Sequence, residues 1–319
     1  MKPLVSAVIV NYNGKSTLGN AIKSIEGQSY TNTEIIIVDN NSEDGSMDYV
    51  KKNHKGVKLV LNKRNLGYCG INEGLKMCRG KYVFFTNNDI SLDRKCIEAL
   101  VKTLESDQSA GIASPKVVNF FNKKMQSCGT WVSRSFYNGH FSCSKDFRKE
   151  IPYNGIALIR KGIVDEFGYL FDGDYFIYAE DLDLGLRIRL LGYNVIHVPD
   201  ALLYHMHSLT MARAKQYKLT YLMERNLLST FVKVLSIKSI IIFLPYVFFM
   251  RLMGIFKDVI TLQFMNAFAR IFAIFIVVIK LPKLLSKRIQ IQKLRKKEDS
   301  FLLKVFSEKY LFSNQKIKV

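Results

Sequence analysis

Three acidic side chains crowd into four positions of this sequence, at Glu180, Asp181 and Asp183. Three aromatic residues, Tyr175, Phe176 and Tyr178, lead into the group and would form an apolar wall for a substrate ring. Mutual repulsion and partial burial raise the pKa of a carboxylate toward neutral pH, which is what a general base requires. Helix capping is the alternative, because an acid in the first turn complements the helix dipole. One acid is enough for a cap and three repel one another, so the pattern favours a general base at the mouth of a pocket.

A predicted helix carries this acidic group, because leucines recur at the spacing of one buried face from Leu182 to Leu190. Gly192 is placed to end the helix. Two short strands then follow, over 193–198 and 201–204, with Pro199 beginning the turn between them.

Polar clusters follow the predicted strands of the N-terminal half. Short runs rich in valine and isoleucine predict buried strands over 4–10, 34–38, 57–61 and 82–85. The clusters Asn11–Asn13, Asp39–Asn41 and Asn87–Asp89 follow the first, second and fourth runs. Helical patterns between the runs predict a doubly wound α/β sheet, in which ligands bind at the carboxyl ends of the strands. Turns also favour Asn, Asp and Gly, so each cluster taken alone is equally well explained as a turn.

The chemistry of these positions suits a nucleotide-linked substrate. Asp39 can accept hydrogen bonds from a base or a ribose, and the Asp89 carboxylate suits Mg²⁺ or Mn²⁺ on a diphosphate. Backbone N–H groups around Gly67 and Gly70 can approach phosphate closely, and the loop at Gly155 lets a substrate lie near the backbone. Neither GxGxxG after the first strand nor a GxxxxGK[ST] loop is present, which argues against those two phosphate-binding motifs.

The formal net charge of +20 on 319 residues points to an anionic partner. The basic residues concentrate beside apolar helices and no nucleic-acid-binding motif is present, so we expect a membrane surface and no nucleic acid. Five cysteines without a CxxC pair indicate a reducing compartment and argue against a disulfide frame or structural zinc. The N-terminal apolar run is too short for a signal peptide, so we expect a cytoplasmic protein.

The C-terminal third has a different composition. Ile240–Met250 and Phe264–Ile279 are apolar, but interrupting charges favour interfacial helices over membrane spans. The tail over 280–297 is densely basic and suits anionic lipid headgroups. The alternative is a second domain of ordinary core helices with a solvated basic tail. We expect a catalytic domain over 1–230 and a helical, membrane-associated region over 231–319.

Seven segments, taken together in this order, resemble the family 2 glycosyltransferases of the GT-A fold, and most closely their rhamnosyltransferase-like branch. The resemblance covers roughly residues 3–230. The segments are VSAVIVNYN (5–13), VDNNSEDGS (38–46), NLGYCGINEG (65–74), FTNNDI (85–90), NGIALIRKG (154–162), FIYAEDLDLGLRIRLLGYNVIHVP (176–199) and LLYH (202–205).

The resemblance implies an inverting transfer from a nucleotide-diphosphate sugar, with a divalent cation, Mg²⁺ or Mn²⁺, as cofactor. Asp39 would hold the nucleoside, Asp89 would bind the metal as the last residue of the Asp-x-Asp motif, and Asp181 would be the general base. His205 resembles a histidine that approaches the metal or the diphosphate, with His207 as the alternative ligand. Glu180 joins Asp181 as a catalytic candidate. The predicted nucleotide-sugar-binding residues are Asn11, Asn13, Asp39, Asn41, Asn65, Gly67, Asn72, Asn88 and Gly155.

One departure from the family pattern is that Asp-x-Asp reads Asn87-Asn88-Asp89, which leaves a single carboxylate for the metal. The reduced motif keeps open a catalytically silent carbohydrate- or lipid-binding scaffold on the same fold. A sugar nucleotidyltransferase is a further alternative, although it has no need for the Glu180–Asp181 base. The expected acceptor is a saccharide or lipid-linked saccharide. The expected location is the cytoplasmic face of the cell membrane, peripheral or interfacial, with integral attachment through the C-terminal helices left open.

Overall fold

A mixed sheet of ten strands flanked by helices forms the body of the protein in a computed structural model that describes residues 2–140, 150–206 and 215–307. The strands are β1 Val5–Asn11, β2 Thr33–Asp39, β3 Lys58–Leu61, β4 Tyr82–Asn87, β5 Ile90–Leu92, β6 Ala110–Asn119, β7 Met125–Ser127, β8 Thr130–Val132, β9 Asn138–His140, β10 Glu150–Ile151, β11 Ala157–Arg160 and β12 Asn194–His205. The helices are α1 Lys15–Glu26, α2 Ser46–Asn53, α3 Cys96–Ser106, α4 Lys161–Phe167, α5 Glu180–Leu190, α6 Gln216–Val234, α7 Ile237–Ile260, α8 Phe264–Ile279, α9 Leu281–Lys293 and α10 Asp299–Leu303. A 3₁₀ segment covers Gly67–Met77.

The strand order is β10-β12-β6-β11-β4-β1-β2-β3, with β5 on β12 and β7 on β6, while β8 and β9 form a separate hairpin. Strands β3, β2, β1 and β4 are parallel, so their carboxyl ends lie at one edge. Strand β11 then runs antiparallel between β4 and β6. The predicted α/β fold with flanking helices is confirmed, and its strand directions are more mixed than the expected mostly parallel sheet.

The apolar runs form strands because other segments of the chain pack against both faces of the sheet. Every residue of β1 is buried, with its side chains divided between two apolar layers, one against α1 and α3 and the other against the 3₁₀ segment. Fully burying one valine or isoleucine contributes about 1.5–3 kcal/mol. The two strands predicted on either side of Pro199 form a single strand, β12. Its pairing with β6 is irregular between Val198 and Leu202 but continues on both sides, so the predicted turn lies within the strand.

Helix α6 runs without interruption through residue 230, the predicted domain boundary. Its residues Leu227 and Phe231 share an apolar cluster with Leu182 and Leu186 of α5 and with Val247 of α7. The division into a catalytic domain and a C-terminal region stays a prediction.

Helix α7 is long and apolar enough to cross a membrane by length and composition, and 17% of its most apolar stretch is buried. Helices α8 and α9 pass the same test only as a pair, and they are bent by 67° at their junction.

Three of the described cysteines, Cys69, Cys78 and Cys96, are free and buried. Cys128 is disulfide-bonded, which departs from the reducing compartment that the cysteine pattern indicated; the expectation of no disulfide frame stays a prediction. The absence of a CxxC spacing does not exclude a bridge between residues that are distant in sequence.

Candidate active site

Three of the predicted nucleotide-sugar residues meet where β1, β2 and β4 end. Asn11 Nδ2 donates to Asp39 Oδ1 at 2.8 Å, and Asn88 Nδ2 donates to Asn11 Oδ1 at 2.6 Å. Asn11 is fully buried and also donates to Ser46 Oγ at 3.0 Å. In-register parallel pairing places Asn11 directly beside Asp39. The sheet therefore brings together the side chains that a shared ligand would need.

Asp39 uses most of its acceptor capacity to shape the turn after β2. Oδ1 accepts from Asn11 and from Ser42 Oγ at 2.6 Å, while Oδ2 accepts from the Ser42 N–H at 2.9 Å. A carboxylate has about four lone-pair sites, so these bonds leave roughly one for an N–H or O–H group of a ligand. The cluster after β2 is both a turn and a candidate binding position.

Asn13 and Asn41 are exposed and lie in the left-handed region, at φ 49° and 64°. Asparagine tolerates this conformation better than most residues. The Asn13 N–H donates to Ser42 Oγ at 2.9 Å, and Asn13 Oδ1 accepts from the Glu43 N–H at 2.9 Å. Asn13 thus joins the loop after β1 to the loop after β2 at the edge of the site.

Gly67 is required by a close backbone approach. Its φ is 64°, and a Cβ added there would lie 2.1 Å from the Phe176 carbonyl oxygen. The Gly67 N–H is already bound to Asn65 Oδ1 at 2.8 Å, and the Tyr68 N–H donates to the Phe176 carbonyl at 2.8 Å. Asn65 and Gly67 therefore dock the 3₁₀ segment against the chain that precedes α5, and the Gly67 N–H is not open to a phosphate.

Asn72 also connects two segments. Its Nδ2 donates to the Phe171 carbonyl at 2.6 Å, and its Oδ1 accepts from the Leu170 and Phe171 N–H groups at 2.9 and 3.1 Å. Its amide thus binds protein backbone and supports the site, while its predicted contact with the nucleotide sugar stays a prediction.

Asp89 and His205 form the candidate metal pair. His205 Nε2 lies 3.2 Å from Asp89 Oδ1, because β12 pairs with β5 and sets His205 opposite Ile90. His205 Nδ1 lies 3.2 Å from Gln126 Nε2, a contact that orients the ring. Within residues 2–140, 150–206 and 215–307, no group of three or more His, Cys, Asp or Glu side chains is arranged to hold a metal. The alternative ligand His207 lies outside the described residues.

Tyr68 connects the metal pair to the acidic group, and sequence reasoning missed it. Its hydroxyl donates to the Gly155 carbonyl at 2.6 Å. Burial raises the pKa of the Tyr68 phenol well above its usual value, and the negative charges of Glu180, Asp181 and Asp89 raise it further. The charges of these three carboxylates therefore all act on one phenol, although the residues are far apart in sequence.

The Glu180–Asp181 pair has the electrostatics of an acid–base site. Burial raises the pKa of Asp181 to about 7, against the opposing effect of the Leu182 N–H, which donates to Asp181 Oδ1 at 2.8 Å. Burial and then the charge of Asp181 raise the pKa of Glu180 well above its usual value. A Cβ added at Gly155 would lie 3.4 Å from Asp181 Oδ2, so this glycine keeps the approach to the carboxylate open.

Residues 174–179, the base loop, precede α5 in a strained conformation. Phe176, Tyr178 and Ala179 all have positive φ, at 66°, 71° and 58°. Such backbone costs about 1–3 kcal/mol per residue and persists only where surrounding contacts hold it.

Helix α6 supplies those contacts through two adjacent residues that sequence reasoning did not single out. Asn226 is fully buried, and its Nδ2 lies 3.1, 3.0 and 2.7 Å from the carbonyl oxygens of Tyr175, Ile177 and Tyr178. Arg225 Nη2 donates to the Tyr175 carbonyl at 3.0 Å. In the sequence, the only indication was an Arg-Asn pair at the point where the composition changes.

Asp183, the third acid of the group, has a structural role. It is fully buried and pairs with Arg187 Nε at 2.7 Å and with Lys233 Nζ at 2.8 Å. Lys233 also binds Asp172 at 2.6 Å. The acidic group thus divides, with two carboxyls at the candidate site and one in an ion network between α5 and α6.

Comparison with protein families and curated proteins points to one enzyme class. A family model described as glycosyl transferase family 2 matches residues 6–168, more than half of the chain. An uncharacterized glycosyltransferase from Haemophilus influenzae is 28% identical over 217 residues, covering 64% of this chain and 66% of that protein. The Escherichia coli UDP-Glc:alpha-D-GlcNAc-diphosphoundecaprenol beta-1,3-glucosyltransferase WfaP is 29% identical over 200 residues, covering 58% of this chain and 73% of that protein.

Solved structures share the GT-A-like fold. The crystal structure of GalNAc-T7 with UDP, GalNAc and Mn²⁺ has a TM-score of 0.61 at 17% identity, covering 74% of this chain and 49% of that chain. Staphylococcus aureus TarS 1-349 in complex with UDP has a TM-score of 0.53 at 15% identity, covering 72% and 66%. This chain therefore spans less than two thirds of the Haemophilus protein and about half of the GalNAc-T7 chain.

Proposed function

This chain belongs to glycosyl transferase family 2, and we propose that it moves a sugar from a nucleotide-diphosphate sugar to a hydroxyl of a saccharide or lipid-linked saccharide, inverting the anomeric centre. The observation that carries the proposal is Asp181. Its pKa is raised to about 7, and its charge and that of Asp89 both raise the pKa of the Tyr68 phenol.

Asp39 and Asn11 would receive the nucleoside. The remaining acceptor site of Asp39 suits an N–H of the base or an O–H of the ribose, while Asn13 and Asn41 border the same edge. UDP is the first nucleotide to test, since the name of the Escherichia coli relative specifies UDP-Glc and TarS was solved with UDP.

Asp89 and His205 would hold a divalent cation. One carboxylate and one imidazole suit Mn²⁺, and Mg²⁺ is the alternative for the carboxylate. When bound, such a cation neutralises charge on the departing diphosphate. With only two protein donors, we expect the donor diphosphate and water to complete the coordination, so that cation affinity depends on the nucleotide sugar.

Asp181 would act as the general base. The acceptor hydroxyl oxygen attacks the anomeric carbon, the bond from that carbon to the diphosphate oxygen breaks, and the hydroxyl proton passes to Asp181. Attack and departure occur on opposite faces of the sugar, so a single displacement inverts the centre. Glu180 directly precedes the base, and burial together with the charge of Asp181 raises the pKa of its carboxyl well above the usual value.

A lipid-linked acceptor is consistent with the apolar C-terminal helices and with the Escherichia coli relative, whose name specifies a diphosphoundecaprenol-linked acceptor. We also propose that the enzyme acts at the cytoplasmic face of the membrane, as the N-terminal sequence and the basic tail led us to expect. The rhamnosyltransferase-like branch stays a prediction for the donor sugar, and the division at residue 230 stays a prediction for the domains.

The test is transfer from radiolabelled UDP-, GDP- and dTDP-sugars, with and without Mn²⁺, by the wild-type protein and Asp181→Asn. We expect transfer or slow donor hydrolysis by the wild type, and nucleotide binding without turnover in the variant. A folded wild-type protein that binds a nucleotide sugar but neither transfers nor hydrolyses it would support the silent scaffold instead. Near wild-type turnover in the variant would reject Asp181 as the base.

A further inference from the structure

Helices α7, α8 and α9 bury four charged residues and expose most of their large apolar ones, the reverse of a water-facing helix. The exposed fractions of Arg251, Asp258, Arg270 and Arg288 are 1%, 5%, 6% and 7%. The outward face is almost wholly apolar, and we call it the apolar platform. Its exposed residues include Ile237, Ile241, Ile242, Leu244, Phe248, Phe249, Leu252, Met253, Phe256, Val259, Ile260, Phe264, Met265, Phe268, Ile271, Phe272, Phe275, Val278, Ile279, Leu281, Leu285 and Ile289.

Helix α7 is fixed to the rest of the protein along most of its length. Its inward face packs at Ile240 and Val247 against the cluster shared by α5 and α6. Further along, Arg251 binds the Phe136 carbonyl at 3.2 Å and Glu224 of α6 at 2.9 Å. Asp258, near the end of the helix, pairs with Arg270 of α8 at 2.8 Å. Contacts of the inward face therefore extend from Ile240 to Asp258, about 27 Å at 1.5 Å per residue.

Helix α8 repeats this arrangement beside α7. Arg270 pairs with Asp258 of α7 at 2.8 Å and also with Glu224. The buried positions Ala269, Ala273 and Val277 follow the spacing of one helix face, and the opposite face is exposed. Both helices thus lie side by side on the protein with their apolar faces outward.

Exposed charge on these helices is basic. Residues 237–293 contain nine Lys and Arg residues and one acid, Asp258, which is buried. Lys238, Lys257 and Lys280 are exposed at or near the helix ends. An apolar face flanked by lysines matches the acyl and headgroup regions of an anionic leaflet.

We infer that α7, α8 and α9 lie flat in one leaflet of an anionic bilayer through the apolar platform, and that α7 does not cross the membrane. A crossing α7 would have to detach its inward face and carry Arg251 and Asp258 away from their partners into hydrocarbon. This inference rests on the membrane attachment included in the proposed function and specifies its geometry.

The test uses single tryptophans at Ile242, Phe249 and Phe256, which are 58%, 54% and 58% exposed. They are seven residues apart on one face of α7, so the outer two are about 21 Å apart along the helix. The native Trp131 is buried in the core and supplies a constant background. Each variant is bound to phosphatidylcholine–phosphatidylglycerol vesicles brominated either near the headgroup or near the chain end, and fluorescence quenching is measured.

A flat α7 gives the same shallow-to-deep quenching ratio at all three positions, with the shallow label more effective. Deep quenching at Phe249→Trp with shallow quenching at the two flanking positions would show a span and overturn the inference. Absence of quenching at all three would also overturn it, including the case in which a second copy of the chain covers the platform. Leu61→Trp, exposed on β3, is the control and stays unquenched. The readout is independent of sugar transfer, so failure here and failure of the proposed activity are separable.

Discussion

Replacing Asn226 with aspartate tests whether α6 positions the general base. Asn226 Oδ1 accepts from Arg225 Nε at 2.9 Å, and an isosteric aspartate keeps that contact. What the substitution removes is the Nδ2 donor, which faces three carbonyl oxygens of the base loop at 2.7–3.1 Å. Asn226→Asp therefore replaces an N–H donor with an oxygen that repels the three carbonyl oxygens. The position is fully buried, and the shape of the side chain hardly changes.

The expected loss of activity can be estimated from the contacts of the base loop. Leaving buried carbonyls without a donor costs about 1–3 kcal/mol, which is similar to the cost of holding one of the three left-handed residues at 176, 178 and 179. We therefore expect the base loop to relax and to shift Asp181 at the start of α5. A displacement of about 1 Å lowers a turnover rate by about 100-fold. We predict a kcat about 100-fold lower, with the donor KM little changed because Asp39 and Asn11 lie on other segments.

The assay is steady-state transfer over a range of pH, together with nucleotide binding by thermal shift. Ser229→Ala is the matched control, because Ser229 lies one turn further along α6 and its hydroxyl binds only the Arg225 carbonyl within the helix, at 2.7 Å. A positioning role predicts a lower kcat and a shifted acid limb in Asn226→Asp, with nucleotide binding intact. An unchanged kcat and pH profile in the folded variant, or a rise in donor KM that accounts for the whole loss, would refute the reasoning.

Four further predictions follow from the same site. Because the pKa of Asp181 is raised to about 7, transfer should fall as pH drops through 7, and Asp181→Asn should lower kcat about 10²–10⁴-fold at all pH values. The folded state binds the Asp181 proton more tightly than the unfolded chain does. The free energy of unfolding of the wild type should therefore decrease as pH rises from the unfolded pKa to 7, and Asp181→Asn should reduce this pH dependence in chemical denaturation. Asp89→Ala and His205→Ala should each raise the Mn²⁺ concentration that gives half-maximal transfer, measured by titration. Gly67→Ala should lower the melting temperature and the activity together, because its Cβ would collide with the Phe176 carbonyl.

Much of the sheet and the edge that carries the site could be predicted from the sequence. Buried strands are short valine- and isoleucine-rich runs, and polar residues at their ends are visible in the chain itself. That is why the positions of Asn11, Asp39 and Asn88 followed from the strand order. Asp181 stood out because three acids so close together repel one another.

The supporting contacts could not be predicted, because they depend on pairings between distant segments. Asn72 and Asn65 belong to a segment that resembles the family, yet both bind protein backbone, which no local pattern reveals. Asn226 acts on a loop about fifty positions earlier in the chain. Hydropathy identified the apolar C-terminal helices. Which face of each helix is outward depends on buried partners such as Glu224, which forms ion pairs with both Arg251 and Arg270.

Those partners also connect the apolar platform to the base. Lys283 and Lys287 of α9 bind Asp174, the first residue of the base loop, each at 2.6 Å, while Asn226 of α6 holds the loop from the other side. Helix α9 contributes Leu285 to the platform, so the surface that would rest on lipid is ionically bound to the segment that precedes Asp181. A lipid-linked acceptor presents its hydroxyl at a height set by its own headgroup. A base held at a constant height above the same leaflet would meet that hydroxyl without a separate docking step. In the proposed membrane geometry, this linkage gives a physical reason for Lys283 and Lys287 to pair with Asp174.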